Sequence, residues 1–516
     1  MPDTPDSLSS RDPNEGLRLP GGYLIPWHRA AVILIVALTL FRFWYCQTIE
    51  LCGDEAYYWL WSKHLDLGYF SKGPAVAYTI AAGTHLFGDT VFGIRFFAIL
   101  LSAGTGYGIY RLGRRLFSGQ TGFFSILLAG VIPMFCAGSI LMTIDPLSVF
   151  FWTLAACSFW RAKDEKRPHF WLLTGLLIGI GALAKYTNLW QLACFALFCA
   201  CSPGHRRHLK TKTFWLMALT TLACLTPALI WNYRNDWITL QHLQHRGALD
   251  RHWRFSAKEL WKFIQNQAIF ISPPAFLGIA AAAICSLVQA FKRKADLALV
   301  YLLCLFWPLI VFYLILSLNE AGQANWTAPS YVAGFILAAA VWTPWVRQSR
   351  LWRGVAVMSL AVGLLMTIAA HDTSWLKLPP KQDPLSRVRG SADLAQQIYE
   401  LQKEHGAAFI IANNYGNASL IAFYHPEHTQ TYLPRHEGIQ NQFSFWPDYS
   451  DGFMGESAIF ATDSDEPPSP QLFREFASID FLKETWTSHR GRLVKKFRFY
   501  LCHNFGGIHE QSETQP

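Results

Sequence analysis

Charge is what this sequence has least of. Only 15% of its 516 residues are Asp, Glu, Lys or Arg, and 52% are hydrophobic; a soluble domain carries about 25% charge, so this chain lives mostly in lipid. Also missing are a P-loop, a glycine-rich dinucleotide fingerprint and an HExxH zinc motif, which removes the common nucleotide and zinc-hydrolase chemistries. No internal repeat is evident. No cleavage pattern follows the first apolar run, so that run reads as an uncleaved anchor. The 11 Cys lack metal-ligand spacing and read as small membrane hydrophobes; only Cys46 and Cys52 are close enough to suggest a disulfide. The net charge of +9 is no nucleic-acid footprint, because its basic residues come in short clusters between apolar runs, the pattern of topology signals.

What is present is a series of apolar runs. A helix needs about 20 such residues to cross ~30 Å of hydrocarbon. Candidate spans are 29–46, 92–112, 119–141, 146–161, 170–184, 187–201, 213–231, 268–290, 297–318, 328–346 and 353–370, eleven in all. Five basic clusters separate them: Arg111/Arg114/Arg115, Arg161/Lys163/Lys166/Arg167, Arg206/Arg207/Lys210/Lys212, Lys292/Arg293/Lys294 and Arg347/Arg350/Arg353. Two spans fit between consecutive clusters, so all five share the cytoplasmic side. The polar N-terminus, 1–28, joins them if 74–88 lies in the outer interface within a first external loop, 47–91. The transmembrane domain then runs over 29–371. From 372 to 516 follow a linker and a small extracytoplasmic α/β domain. There SADLAQQIYELQKEHG reads as an amphipathic helix with Leu394, Ile398 and Leu401 on one face and Gly406 as its stop. AAFIIA and SAIFAT read as buried strands, DSDEPPSP as a turn, and RLVKKFRFYLC as a closing strand.

The polar residues of interest all fall on the outer side. The stretch Leu51–Pro74, LCGDEAYYWLWSKHLDLGYFSKGP, sets Asp54 and Glu55 before an aromatic belt and ends at Lys72. Trp and Tyr collect at the headgroup layer, where carboxylates and an ammonium are costly unless they serve a ligand or each other. A solvated acidic loop behind an anchor is the plainer alternative. Asp54 is the candidate general base, with Glu55 in support: like charges resist joint ionisation, and adjacent helical residues diverge by about 100° so that one aims at the acceptor. Asp145, before Pro146, is the second candidate catalytic acid, and serves equally as a helix cap. Lys72 and Lys185 suit a lipid phosphate leaving group, though either can simply snorkel. Arg95 and Arg246, with Arg251 and Arg254, are further phosphate partners, and Tyr58 of the belt is counted as a substrate contact. His242 and His245 stand at i, i+3, a spacing that presents two imidazoles to one metal, without a third ligand in the motif. No cofactor is expected. An outward site cannot draw on cytoplasmic nucleotide sugars, so a transferred group must arrive on a lipid.

With DEAYYW after the first span, SKGP closing the loop, FGIRF, IDPLSVFFW, LAKYTN and NWTAP, the chain resembles the polytopic GT-C glycosyltransferases over roughly 27–345. The group in question holds the lipid A aminoarabinose transferases, RgtA/B-type galacturonosyltransferases and protein O-mannosyltransferases. The tail IIANNYGNASLIAFYHPEH is similar to their outer domain. The resemblance implies inverting transfer of one sugar from a polyprenyl-phosphate donor to lipid A, lipopolysaccharide or another envelope glycan at the bacterial inner membrane. It sets Asp54 in the catalytic position, Asp145 in that of the second acid, and Lys72 and Lys185 near the donor phosphate. Two departures stand out: Ser71 replaces a glutamate that helps bind metal in the aminoarabinose enzymes, and FSKGP lacks their double proline. The competing reading is a flippase for lipid-linked substrates, which calls for mid-membrane charges and repeated halves.

Overall fold

Several helices of the bundle begin at a side-chain cap: Thr90, Ser118, Thr143, Thr211, Ser256 and Asp296 each accept from a backbone N–H of the first turn. The computed structural model describes residues 16–18, 23–164, 168–247, 253–436 and 438–506. Most of the N-terminal segment, Lys166, Arg167 and Arg251 lie outside them. Strands β1 (Gly16–Arg18) and β2 (Leu24–Pro26) pair antiparallel ahead of α1 (Trp27–Tyr45). The segment between α1 and the next long helix holds α2 (Gly53–Lys63) and α3 (Ala75–Phe87). At 1.5 Å per residue α3 is about 20 Å long, short of the ~30 Å hydrocarbon layer, and it buries Val76, Ala77 and Ile80. Next comes α4 (Val91–Leu116), whose cap Thr90 accepts from the Gly93 N–H at 2.9 Å.

The expected span 119–141 is broken into α5 (Gly119–Gly130) and α6 (Pro133–Gly138); Pro133 brings no N–H and clashes with the preceding turn. Helices α7 (Ile144–Ala162), α8 (His169–Ala184) and α9 (Trp190–Cys201) follow, the last two joined by a 3₁₀ turn at Tyr186–Leu189. Helices α10 (Lys212–Cys224) and α11 (Thr226–Arg234) meet at a 45° bend. The segment after α11 contains α12 (Ile238–Arg246) and leads to α13 (Ala257–Ile271). The bundle closes with α14 (Pro273–Phe291), α15 (Leu297–Leu316), α16 (Ala328–Gln348) and α17 (Arg350–His371).

Among the described residues, six helices are long and apolar enough to span a bilayer: α1, α4, α14, α15, α16 with its leading turn, and α17. The bent pair α10–α11 makes a seventh. The other expected spans are shorter or less apolar helices. The core of the bundle is aromatic: Phe159 and Phe195 stack at 3.9 Å, and the Tyr301 hydroxyl donates to the Ala156 carbonyl at 2.7 Å. All 11 cysteines are free, so Cys46 and Cys52 form no disulfide.

The C-terminal region runs through α18 (Ser391–His405), β3 (Phe409–Ala412), α19 (Tyr415–Tyr424), β4 (Thr431–Tyr432), β5 (Ala458–Thr462), α20 (Pro470–Glu475), β6 (Phe476–His489) and β7 (Arg492–Phe505). Its five-stranded sheet has the order β4-β3-β5-β7-β6, parallel across the first three and antiparallel beyond. Side chains alternate along a strand. Ile410, Ala412, Ile459 and Ala461 therefore pack with Leu394, Ile398 and Ile421 on one face, while Phe409, Ile411 and Phe460 join Tyr449 on the other. This region is tied to the start of α2: Glu50 Oε2 accepts from the Ser391 N–H at 2.5 Å, and the Leu51 N–H donates to the Tyr424 hydroxyl at 2.8 Å.

Candidate active site

Helix α2 is clamped between the bundle and the C-terminal region, and that clamp determines where its acids point. Glu55 turns inward with no exposure. Its Oε2 accepts from the Cys52 N–H at 3.1 Å, closing the helix N-terminus, and its Oε1 accepts from the Met142 N–H at 2.9 Å. Arg95 lies against it with Nε 2.8 Å from Oε1 and Nη2 2.6 Å from Oε2. The remaining N–H groups of Arg95 reach the carbonyls of Cys46, Ile49 and Glu50 at 2.7, 3.0 and 2.7 Å. All five guanidinium donors are thereby satisfied inside the protein. The expectation that Arg95 meets a phosphate and Glu55 a substrate is corrected: both are sealed structural groups.

Asp54, one residue earlier, points the other way. Its side chain is exposed at the mouth of a cleft, with protein dense around it on the other sides. Desolvation raises its affinity for a proton; Arg246 and Lys72 oppose this, while Asp145 and Glu55 reinforce it, and the net effect lies above the ordinary 3.8. The phenols of Tyr58 and Tyr415 both lie in its field. Burial pushes each above the usual tyrosine range, so each stays a protonated donor. Tyr58 is buried, whereas Tyr415 is 39% exposed to the cleft.

Tyr415 opens α19, so the C-terminal region contributes directly to this cleft. The close approach is tightest at Gly53, where a Cβ would stand 3.1 Å from Gly416 Cα. The Tyr57 hydroxyl, which accepts from the Gln442 N–H at 2.6 Å, and the Gln442 side chain, which accepts from the Phe70 N–H at 2.7 Å, fasten the same interface.

The opposite wall is built on the ends of α7 and α8. Thr143, not Asp145, caps α7: its hydroxyl accepts from the Asp145 N–H at 3.3 Å, which leaves the carboxylate free to face the cleft. Lys185 Nζ donates to Asp145 Oδ1 at 2.7 Å and to the Asn325 carbonyl at 3.2 Å, and Asn325 Nδ2 donates to Asp145 Oδ2 at 2.7 Å. Lys185 is buried, so snorkelling does not describe it.

Lys72 is set by Gly73, where a Cβ would meet the Leu183 carbonyl oxygen at 2.2 Å; only glycine lets the loop lie this close to the end of α8. Among the described residues the Lys72 ammonium has no hydrogen-bond or ion-pair partner. Burial, then Arg246 and Lys185, push it down to about 7, against the pull of Asp145 and Asp54. Arg246, at the end of α12, lies over the Trp326 ring at 5.6 Å and donates to Gln323 Oε1 at 3.0 Å. His242, one turn earlier, packs against Phe70 with ring centres 4.6 Å apart and planes tilted by 53°, and is pushed down to about 4 by burial and by Lys72 and Arg246. A neutral imidazole among cations is a poor start for a metal site. Among the described residues no group of three His, Cys, Asp or Glu converges on one point.

The structure sets Asp54, Asp145, Lys72, Arg246 and Tyr58 near one another, with Lys185 bound to Asp145, and adds two residues to which the sequence assigned no role. Asn325 belongs to the NWTAP motif; Tyr415 carried no signal beyond the Asn414 cap in front of it. Arg254, expected as a phosphate partner, is exposed, with its backbone N–H bonded to Asn319 Oδ1 at 3.0 Å.

A family model described as dolichyl-phosphate-mannose-protein mannosyltransferase matches residues 71–231. The lipid A galacturonosyltransferase RgtD of Rhizobium johnstonii is 25% identical over 396 residues, 75% of this chain and 80% of that protein. The undecaprenyl phosphate-alpha-4-amino-4-deoxy-L-arabinose arabinosyl transferase of Pseudomonas aeruginosa is 31% identical over 151 residues, 28% of this chain and 27% of that enzyme. In three dimensions, ArnT from Cupriavidus metallidurans bound to undecaprenyl phosphate superposes with a TM-score of 0.56 at 16% identity, covering 91% of this chain and 97% of that one. Fold, family match and relatives agree: the chain resembles the GT-C polyprenyl-phosphate-sugar glycosyltransferases.

Proposed function

We propose that this protein transfers a single sugar from a polyprenyl-phosphate donor to a lipid A-type acceptor on the outer face of the bacterial inner membrane, with inversion at the anomeric carbon. The observation that carries this reading is the asymmetry of the cleft: one exposed carboxylate, Asp54, opposite the cations Lys72 and Arg246. The names of RgtD and of the aminoarabinose transferases supply the acceptor class and the donor class.

In this reaction an acceptor hydroxyl attacks the anomeric carbon. The new C–O bond forms as the bond to the phosphate oxygen breaks, the proton passes to Asp54, and polyprenyl phosphate leaves with the electron pair. A base is most effective when its proton affinity approaches the operating pH, and the desolvation of Asp54 moves it in that direction. The departing phosphate gains charge, which Lys72 and Arg246 balance in a partly dehydrated site. Asp145, held by Lys185 and Asn325, faces the same space as a fixed acceptor for sugar hydroxyls. The basic clusters then lie on the cytoplasmic side, with the cleft and the C-terminal region outside.

The test is transfer in proteoliposomes carrying a radiolabelled polyprenyl-phosphate sugar and lipid A. Asp54→Asn is expected to leave insertion and folding intact while turnover falls by about 10³-fold or more. Retained turnover removes Asp54 from the mechanism, and lipid movement across the bilayer without any glycosidic bond favours a flippase.

A further inference from the structure

A separate cavity lies away from Asp54. It measures about 1020 Å³ and lies between α1, α17, the linker after α17 and the β6–β7 turn. None of Asp54, Lys72, Asp145, Lys185 or Arg246 lines it. Its two ends differ in chemistry. Leu38 and Phe41 of α1 and Leu364 and Ile368 of α17, two helices that qualify as membrane spans, form an apolar end. At the other end stand Arg42, Lys377, Arg389, Arg490 and Arg492, against only two carboxylates, Asp372 and Asp383.

Both carboxylates are already occupied by Arg389, at 3.3 and 3.2 Å. Arg492 donates to the Ser374 carbonyl at 2.6 Å. Arg42, Lys377 and Arg490 have no hydrogen-bond or ion-pair partner among the described residues. Arg42 belongs to the last turn of the spanning helix α1, where an unpaired guanidinium is expensive unless it meets an anion or a functional partner. Its neighbour Leu40 is exposed, while Arg42 lines the cavity beside Phe41 and Trp44. Three unpartnered cations at the interface end of an apolar slot of ligand size match one chemistry, a phosphate on an acyl-chain lipid.

We propose that this cavity binds an anionic phospholipid, its phosphodiester between Arg42, Lys377 and Arg490 and one acyl chain between α1 and α17. A zwitterionic lipid is disfavoured, because its headgroup ammonium would enter the same cluster of cations. The carrier phosphate of the donor is assigned elsewhere, since it has to reach Lys72. The site stands apart from the transfer reaction and does not depend on it.

Native mass spectrometry of the full-length protein in detergent, titrated separately with dioleoylphosphatidylglycerol, dioleoylphosphatidylcholine and undecaprenyl phosphate, tests this. One phosphatidylglycerol is expected to bind in preference to phosphatidylcholine. In the Arg42→Gln/Lys377→Gln double variant its affinity falls about tenfold or more, as expected for lost charge-assisted contacts, and undecaprenyl phosphate binding stays as in the wild type. Leu364→Trp keeps every charge and fills the apolar end, so it loses the same lipid. Thermal unfolding without lipid checks that each variant is folded, and added phosphatidylglycerol raises the midpoint of the wild type alone. Equal binding of the two phospholipids, unchanged phosphatidylglycerol binding in both folded variants, or loss of undecaprenyl phosphate in their place overturns the proposal.

Discussion

Arg95 and Glu55 form an ion pair at 2.6 Å in which neither side chain has any solvent exposure. The pair joins α4 to α2, and through Met142 and the carbonyls of residues 46, 49 and 50 it also holds the segments entering α2 and α7. Asp54 sits on the other side of the same helical turn, so the orientation of the candidate base depends on this buried pair. Removing one partner leaves a buried charge uncompensated, which costs about 3–5 kcal/mol. Glu55→Gln and Arg95→Met are each expected to lower the unfolding midpoint in detergent and the yield of inserted protein. A variant with normal thermal stability and reduced donor affinity points instead to a substrate contact.

The triangle of Lys185, Asp145 and Asn325 makes a prediction about coupling. Each member holds another at 2.7 to 3.2 Å, so removing any one releases the carboxylate from its fixed direction. Asp145→Asn and Lys185→Ala are each expected to reduce kcat by about 10²-fold, and the double variant by little more than either single. Transfer rates at saturating donor measure this cycle. Fully multiplicative losses mean that the two side chains act separately.

The pH profile follows from two groups with opposite requirements. Asp54 must be ionised to accept a proton, and its shift above 3.8 places the acid limb of kcat/KM above that of an ordinary carboxylate. Lys72 must be charged to hold a phosphate. Burial and its cationic neighbours bring it down to about 7, so its positive charge is complete below that value and is lost as pH rises through it. The free enzyme is thus expected to lose donor affinity above about pH 7. Lys72→Arg keeps its charge across the whole range and should flatten the alkaline limb even where turnover is lower. An alkaline limb that is unchanged in this variant assigns the titration to another group.

Much of this site was legible in the sequence because its members announce themselves locally. Asp54 and Lys72 bracket an aromatic loop, and Asp145 and Lys185 interrupt apolar runs where charge is rare. In the C-terminal region the spacing of Leu394, Ile398 and Leu401 and the positive φ of Gly406 at +63° match the helix and stop read from composition. Arg95 was misread because its partners are backbone carbonyls from a folded loop, which leave no trace in residue identity. The longest strand pair hid β6 for a related reason. It is the edge strand, mostly exposed, and its ASIDFLKETWTSH shows no clean alternation of polar and apolar residues.

Tyr415 is the element least visible in sequence, and it makes the last prediction. It reaches the cleft only because α19 lies against α2 at the Gly53–Gly416 contact, and its phenol, held protonated by burial, faces Asp54. A hydroxyl at that position either orients the acceptor against the base or stabilises the carboxylate before attack. Loss of one hydrogen bond to a charged group corresponds to about a tenfold to hundredfold loss of rate. Tyr415→Phe is therefore expected to lower kcat by that amount while KM for the polyprenyl-phosphate donor stays unchanged, since the donor cations are on the opposite wall. Gly53→Val crowds Gly416 Cα across the contact and should reproduce the kcat defect without removing any polar group. If Tyr415→Phe turns over at the wild-type rate while Gly53→Val is impaired, the C-terminal region acts by bracing α2, and the phenol takes no part in the transfer.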